Sequence, residues 1–233
     1  MIIKIPMREN TNDIQKNINV ILNEIKDSKD VDLILFNEGF LQGFDSFNFE
    51  YKHDVEIARF QNSIEFASIK DALKRKDMAV GFGYYENFKG GLYNSFIVLG
   101  KDGQEIIDYR TNSTHWKAKN ACADYREGER LYSFRVKDSE VGVVSYFDLL
   151  DETNLPKLIN MDDEVDLFFC TGILSKGEFE HRESEFLKIS EIFDKPILLY
   201  LRDETDGFVL LLKHGKVLKE DNLKMEDEYI FTI

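Results

Sequence analysis

Apolar residues along the 233-residue chain fall into short blocks that alternate between two spacings. Residues 2–5 read as a strand. Over 13–26, Ile14, Ile18, Ile21, Leu22 and Ile25 recur at the helical period, with Asn12 or Asp13 placed to cap the first turn. Residues 31–36 (VDLILF) form a compact apolar run of strand length. A long helix is predicted over 53–76, from Val55, Ile57, Phe60, Ile64, Phe66, Ile69 and Leu73. Strand-like runs follow at 78–85, 92–99 and 105–109. The last two flank Lys101-Asp102-Gly103, a strong hairpin signal. Residues 131–136 and 141–147 read as paired strands, 155–161 as a short helix and 165–170 as a buried strand. A helix over 178–193 ends at Lys195-Pro196, and strands at 197–201, 208–212 and 229–233 close the chain.

Strands separated by helices imply helices packed on a sheet, and the local hairpins make that sheet mixed. With three prolines, no Ser/Gly-rich linker and no internal repeat, no domain boundary is visible, so residues 1–233 are expected to form a single domain. Hydrophobic residues at 43% and charged residues at 32% are ordinary for a globular chain and exclude a disordered or fibrous one.

Charge narrows the partners. Thirty basic against 44 acidic residues leave a net charge of −14, which disfavours general binding to nucleic acid or to an anionic membrane. No run approaches the ~20 apolar residues of a membrane helix, and the N-terminus lacks the apolar stretch of a signal peptide. Two cysteines, Cys122 and Cys170, make no disulfide framework and fit the cytoplasm as the expected compartment. Neither cofactor nor metal is expected. His53, His115, His181 and His214 are dispersed, with no HExxH or CxxC, and Gly81-Phe82-Gly83 lacks the rest of a dinucleotide fingerprint.

One carboxylate sits where chemistry is usually found. Glu38 directly follows the apolar run 31–36, and in open α/β sheets ligands bind beyond the carboxyl ends of the strands. A glutamate there is a candidate general base. Taken alone, the feature favours an exposed loop carboxylate over a catalytic one.

The order of further segments changes that balance. DLILFNEGFLQGF (32–44) resembles the strand, Pro-Glu and Gly-aromatic segment of the carbon–nitrogen hydrolase, or nitrilase, superfamily. GLYNSFIVLGKDGQEIIDYR (91–110) is similar to its Tyr-Asn-Ser hairpin ending in Tyr-Arg. TNSTHWKAKNACADYREGERL (111–131) resembles the loop that follows, and VGVVSYFDLLDE (141–152) its Gly-x-x-x-Cys-x-Asp nucleophile segment. VDLFFCTG (165–172) is similar to the Ala-Asp-strand after it. The resemblance implies a four-layer α-β-β-α sandwich with mixed sheets. It also implies hydrolysis of amides, nitriles or carbamoyl groups by a Glu-Lys-Cys triad: a thiolate attacks carbon, the glutamate takes its proton, and the lysine stabilises the oxyanion.

Glu38 alone keeps its triad identity, preceded by Asn37 instead of proline. The resemblance puts Tyr146 at the nucleophile position and Thr111 at the lysine position, and the second glutamate has no match near Ala118. A phenol with a pKa of about 10 is a poor nucleophile at neutral pH. Ser145 is adjacent but on the other face of a strand. The expectation is a non-catalytic homologue that binds a small molecule in the relic pocket, or a partner. It would form a homodimer through the helices at 155–161 and 178–193. The alternative is a rearranged hydrolase with Glu38, Lys117 as substitute cation and Cys170 as substitute nucleophile. Trp116, Tyr125 and Phe44 are candidate pocket walls. Glu38, without a lysine, is expected to have a raised pKa and a hydrogen bond, with Tyr146 as candidate donor.

Overall fold

The computed structural model describes residues 1–203 and 205–233. The first half builds a six-stranded sheet from β1 (Ile2–Pro6), β2 (Leu33–Leu35), β3 (Ala79–Phe88), β4 (Gly91–Leu99) and β5 (Glu105–Arg110), closed by the C-terminal β12 (Glu228–Thr232). Its order is β12-β1-β2-β3-β4-β5, with β1, β2 and β3 parallel and the other pairings antiparallel. The second half repeats the plan with β6 (Tyr132–Val136), β7 (Ser139–Ser145), β8 (Leu167–Ile173), β9 (Ile197–Arg202), β10 (Asp206–Lys213) and β11 (Lys216–Lys224). Here the order is β11-β10-β9-β8-β7-β6, with β7, β8 and β9 parallel.

Alternation along the strands divides most of their apolar residues among three cores, a fourth and smaller one lying around Trp116 and Tyr125. Ile3, Ile5, Leu35 and Val98 meet Val143, Phe169 and Leu198 between the sheets. On the outer face of the first sheet, Ile34, Val80 and Phe82 pack against α1 (Ile14–Asp27) and α3 (Ile64–Leu73). On the outer face of the second, Phe168, Cys170 and Leu199 meet α5 (Leu155–Asp162) and α6 (Lys176–Ile192). The layers are therefore α-β-β-α, as the resemblance implies. Asp13 caps α1, accepting from the Gln15 and Lys16 amides at 3.0 and 3.2 Å. Ser175 and Glu178 form a reciprocal capping box at the start of α6.

Three expectations need correction. The helix over 53–76 is two helices, α2 (Tyr51–Ile57) and α3. Between them Arg59 leaves the helix to pair with β3, its amide donating to Tyr85 O at 3.0 Å and its carbonyl accepting from the Asn87 amide at 3.1 Å. Its guanidinium then binds the free Glu56 and Ile57 carbonyls at 2.8 and 2.7 Å, closing α2. The strand over 141–147 ends at Ser145, and Tyr146 opens the four-residue helix α4 (Tyr146–Leu149). β11 has no counterpart among the expected strands, because KVLKEDNLK shows no apolar alternation. It is a solvated edge strand, joined to β10 through His214 and Gly215, both at positive φ.

Candidate functional site

The chain runs the same way along β2, β3 and β5, so residues just past their carboxyl ends gather at one end of the first sheet. Those past β7 and β8 gather at the facing end of the second. Glu38 lies in the turn after β2. That turn is pressed onto β3: the Gly83 amide donates to Asn37 O at 3.0 Å and Gly83 O accepts from the Leu41 amide at 3.1 Å. A Cβ at Gly83 would lie 2.5 Å from Glu38 Cα, so only glycine allows this approach. From the second sheet, Thr171 Oγ1 accepts from the Glu38 amide at 3.2 Å.

Glu38 and Thr111 meet through Asn94 on β4. Asn94 Nδ2 donates to Glu38 Oε1 at 2.7 Å and to Thr111 Oγ1 at 3.1 Å. All three residues are buried, Glu38 being 7% exposed. Glu38 Oε2 is buried with no hydrogen-bond partner. Burial pushes the Glu38 carboxyl up to about 7; the Asn94 hydrogen bond opposes this and the Asp148 charge adds to it. The raised pKa matches the expectation, but the donor does not. Among the described residues, no hydrogen bond joins Tyr146 to Glu38, and Asn94 fills that place.

Tyr146 reaches the same end from the second sheet. Its ring covers Gly172 at the end of β8 so closely that a Cβ there would overlap it. Phe147 stands against the ring at 4.1 Å between centroids. Burial raises the phenol's pKa, and the Glu38 charge raises it further. Tyr146 also lines an open depression of about 450 Å³ with Leu174, Gly177, Glu178, His181 and Arg182. Glu38 is not in that wall. Ser145 turns its hydroxyl back to cap α4, accepting from the Asp148 amide at 3.2 Å.

Asp148 fixes the relation between the halves of the site. It is fully buried and accepts from the Asn112 amide at 2.9 Å, the Ser113 amide at 2.6 Å and the Tyr109 hydroxyl. The segment carrying Thr111 is thereby tied to the segment carrying Tyr146. Arg110, next to Thr111, is held by a two-point pair with the buried Glu86, both contacts at 2.6 Å. Asn94, Asp148, Gly83 and Thr171 all escape sequence reasoning as site residues. Their visible signal is a polar residue or glycine inside an apolar strand, or just after one.

The remaining candidates lie elsewhere. The Lys117 ammonium pairs with Glu127 and donates to Tyr125 O at 2.6 Å. It is absent from the groups that shift Glu38. Cys170 is fully buried in the core beneath α5 and α6. Burial drives its thiol pKa up, and the Glu38 and Asp148 charges add to that, which is the reverse of activation. Among the described residues no hydrogen bond joins Cys170 to Glu38. Cys122 is exposed. Trp116 and Tyr125 pack with Phe47, Phe49 and Tyr85, and the Tyr125 hydroxyl donates to buried Asp54 at 2.7 Å. Phe44 lies under the Arg202 guanidinium, 5.5 Å from its ring centroid. No group of metal ligands forms among the described residues, and none of their helices is long and apolar enough to cross a membrane.

The chain belongs to the carbon–nitrogen hydrolase family, whose model matches residues 2–148. It is 27% identical over 127 residues to an (R)-stereoselective amidase from Pseudomonas sp. That match covers 54% of this chain and 43% of the amidase, so the chain spans under half the length of this curated relative. The fold is similar to that of a CN-hydrolase superfamily protein from Xanthomonas campestris, solved with an arsenic adduct in its active site. The TM-score is 0.81 at 14% identity, covering 100% of this chain and 90% of that one. An amidase from Nesterenkonia sp. superposes with a TM-score of 0.76 at 12% identity, covering 99% and 88%. Glutamine-dependent NAD+ synthetase from Acinetobacter baumannii gives 0.76 at 18% identity, covering 98% of this chain and 44% of that chain.

Proposed function

We propose that this protein is a non-catalytic member of the family, binding a small molecule in the remnant of the site or a partner subunit. The observation that carries this reading is Tyr146. At the position the resemblance gives to the nucleophile stands a buried ring laid over Gly172, with its pKa raised, and the nearby Cys170 thiol is buried and driven towards its neutral form. Thr111, at the lysine position, brings no positive charge to an oxyanion and shares Asn94 with Glu38 instead. Glu38, lifted to about 7 by burial, has its carboxylate hydrogen-bonded to Asn94 and, among the described residues, to no thiol or hydroxyl.

The rearranged alternative loses support from the same geometry. It needs Cys170 as a thiolate, and that thiol is buried and driven towards its neutral form. It needs Lys117 as a cation, and that ammonium is spent on Glu127. After incubation with amides and nitriles, intact-mass measurement is expected to find no acyl adduct on Cys170. An adduct there would overturn the non-catalytic reading.

The partner we propose is a second copy. Ile159 on α5 and Ile192 on α6 are 44% and 49% exposed, apolar residues on the helices expected to form the interface. Light scattering at micromolar concentration should give twice the 27.2 kDa chain mass. A clean monomer would remove this part of the proposal.

A further inference from the structure

The open depression of about 450 Å³ beside Tyr146 is lined by donors that no described residue accepts from. Its wall is Tyr146, Leu174, Gly177, Glu178, His181 and Arg182. Gly177 is the second residue of α6, and its amide is one of the donors that a helix leaves free at its start. A Cβ built on Gly177 meets nothing within 4 Å, so the backbone there is open to a ligand. Arg182 holds Glu185 through Nε and Nη2, at 3.2 and 2.9 Å, which leaves Nη1 unused. Tyr146 is 7% exposed, and among the described residues its hydroxyl makes no hydrogen bond. A polar group so deeply set and unpartnered is an exception in folded proteins. The charges of Arg182 and Glu178, both in the wall, reach that hydroxyl. His181 Nδ1 donates to Gly177 O at 2.7 Å, so its Nε2 adds a further donor only when the ring is protonated.

The complement to such a wall is a small monoanion. The dipole of the 17-residue α6 and the Arg182 guanidinium both favour negative charge at this place. The wall's one carboxylate, Glu178, is turned back on the helix cap, where its Oε2 accepts from the Ser175 amide at 3.0 Å and hydroxyl at 2.7 Å. Its charge nevertheless disfavours a dianion such as phosphate. Leu174 and the Tyr146 ring supply apolar surface beside the donors. We infer that this depression binds a small carboxylate with a short apolar body, its oxygens accepting from the Gly177 amide, Arg182 Nη1 and the Tyr146 hydroxyl. This inference rests on the non-catalytic reading above, in which Tyr146 stands at the nucleophile position as a neutral donor to a bound molecule.

The test is a titration of the full, nitrogen-15-labelled chain at pH 7, followed by NMR. Sodium isobutyrate is compared with isobutyramide, which has the same shape without the charge, and with sodium chloride at equal ionic strength. Isobutyrate should move the Gly177 amide signal saturably, with a dissociation constant at least about tenfold below that of isobutyramide. Arg182→Gln, a surface change, and Tyr146→Phe, which removes only the hydroxyl, should each weaken isobutyrate about tenfold. Should Tyr146→Phe not fold, Arg182→Gln decides alone. Equal responses to isobutyrate and isobutyramide, a response matched by chloride, or undiminished affinity in Arg182→Gln would overturn the inference. Ammonia release from isobutyramide, followed separately, would count against the non-catalytic reading and not against carboxylate binding, which is judged by the titration.

Discussion

Replacing Asp148 by alanine is expected to destabilise the protein by roughly 3–5 kcal/mol. The side chain is fully buried and gathers donors from three places: the Tyr109 hydroxyl on β5, the Asn112 and Ser113 amides after β5, and Asn154 Nδ2 at 3.4 Å before α5. Truncation leaves these donors facing a cavity instead of a carboxylate, and the cost is their unmet hydrogen bonding added to the void. Asp148→Asn keeps the volume but turns an N–H towards backbone N–H groups, so it should fall between wild type and alanine. Chemical denaturation measures both. A loss below about 1 kcal/mol for alanine would mean that water serves residues 112 and 113 equally well. Asp148 would then not be what holds Thr111 against Asn94.

Glu38→Gln should have the opposite sign, and only at higher pH. The folded carboxyl titrates near 7 against an ordinary 4.5, because burial disfavours its charge. Between those values the unfolded chain gives up its proton while the folded protein keeps it. The stability Glu38 contributes is therefore fully present below about pH 4.5 and is lost as pH rises through 7, for a total of about 3 kcal/mol. Glutamine stays neutral throughout and accepts the Asn94 hydrogen bond through its own oxygen. The variant should match wild type near pH 5 and exceed it by up to that amount at pH 8, read from urea unfolding across the range. Asp108, whose carboxyl burial pushes up to about 8, adds a slope common to both proteins that cancels in the difference. Equal stability of the two at pH 8 would show that the folded protein holds Glu38 as a well-partnered carboxylate.

These two residues show how unevenly the site is written in the sequence. Glu38 is partly legible, because it falls just past a short apolar strand at a known binding edge of α/β sheets, and the resemblance separates it from an ordinary loop carboxylate. Thr111 and Tyr146 are legible only through the resemblance. Nothing in their local pattern marks them, and Tyr146 reads as the continuation of a strand when it in fact begins a short helix. Asn94 stands with Ser95 as a polar pair inside the apolar run of β4, and its double role depends on contacts from residues just past β2 and β5 that no local spacing encodes. The layered fold is legible because its helices and central strands carry strong periodicity. The break at Arg59 and the charged edge strand β11 are not, since one is set by pairing with β3 and the other by pairing with β10.

The most direct test of the non-catalytic reading is turnover by the unmodified protein. A broad panel of amides, nitriles and carbamoyl compounds is incubated with the full chain, and ammonia release is followed beside a Cys170→Ala control. No release above the uncatalysed rate is expected from either protein, because Tyr146 supplies no thiolate and Thr111 no charge. Robust release by the wild-type chain that Cys170→Ala abolishes would contradict the reading and make Cys170 the nucleophile of a working hydrolase.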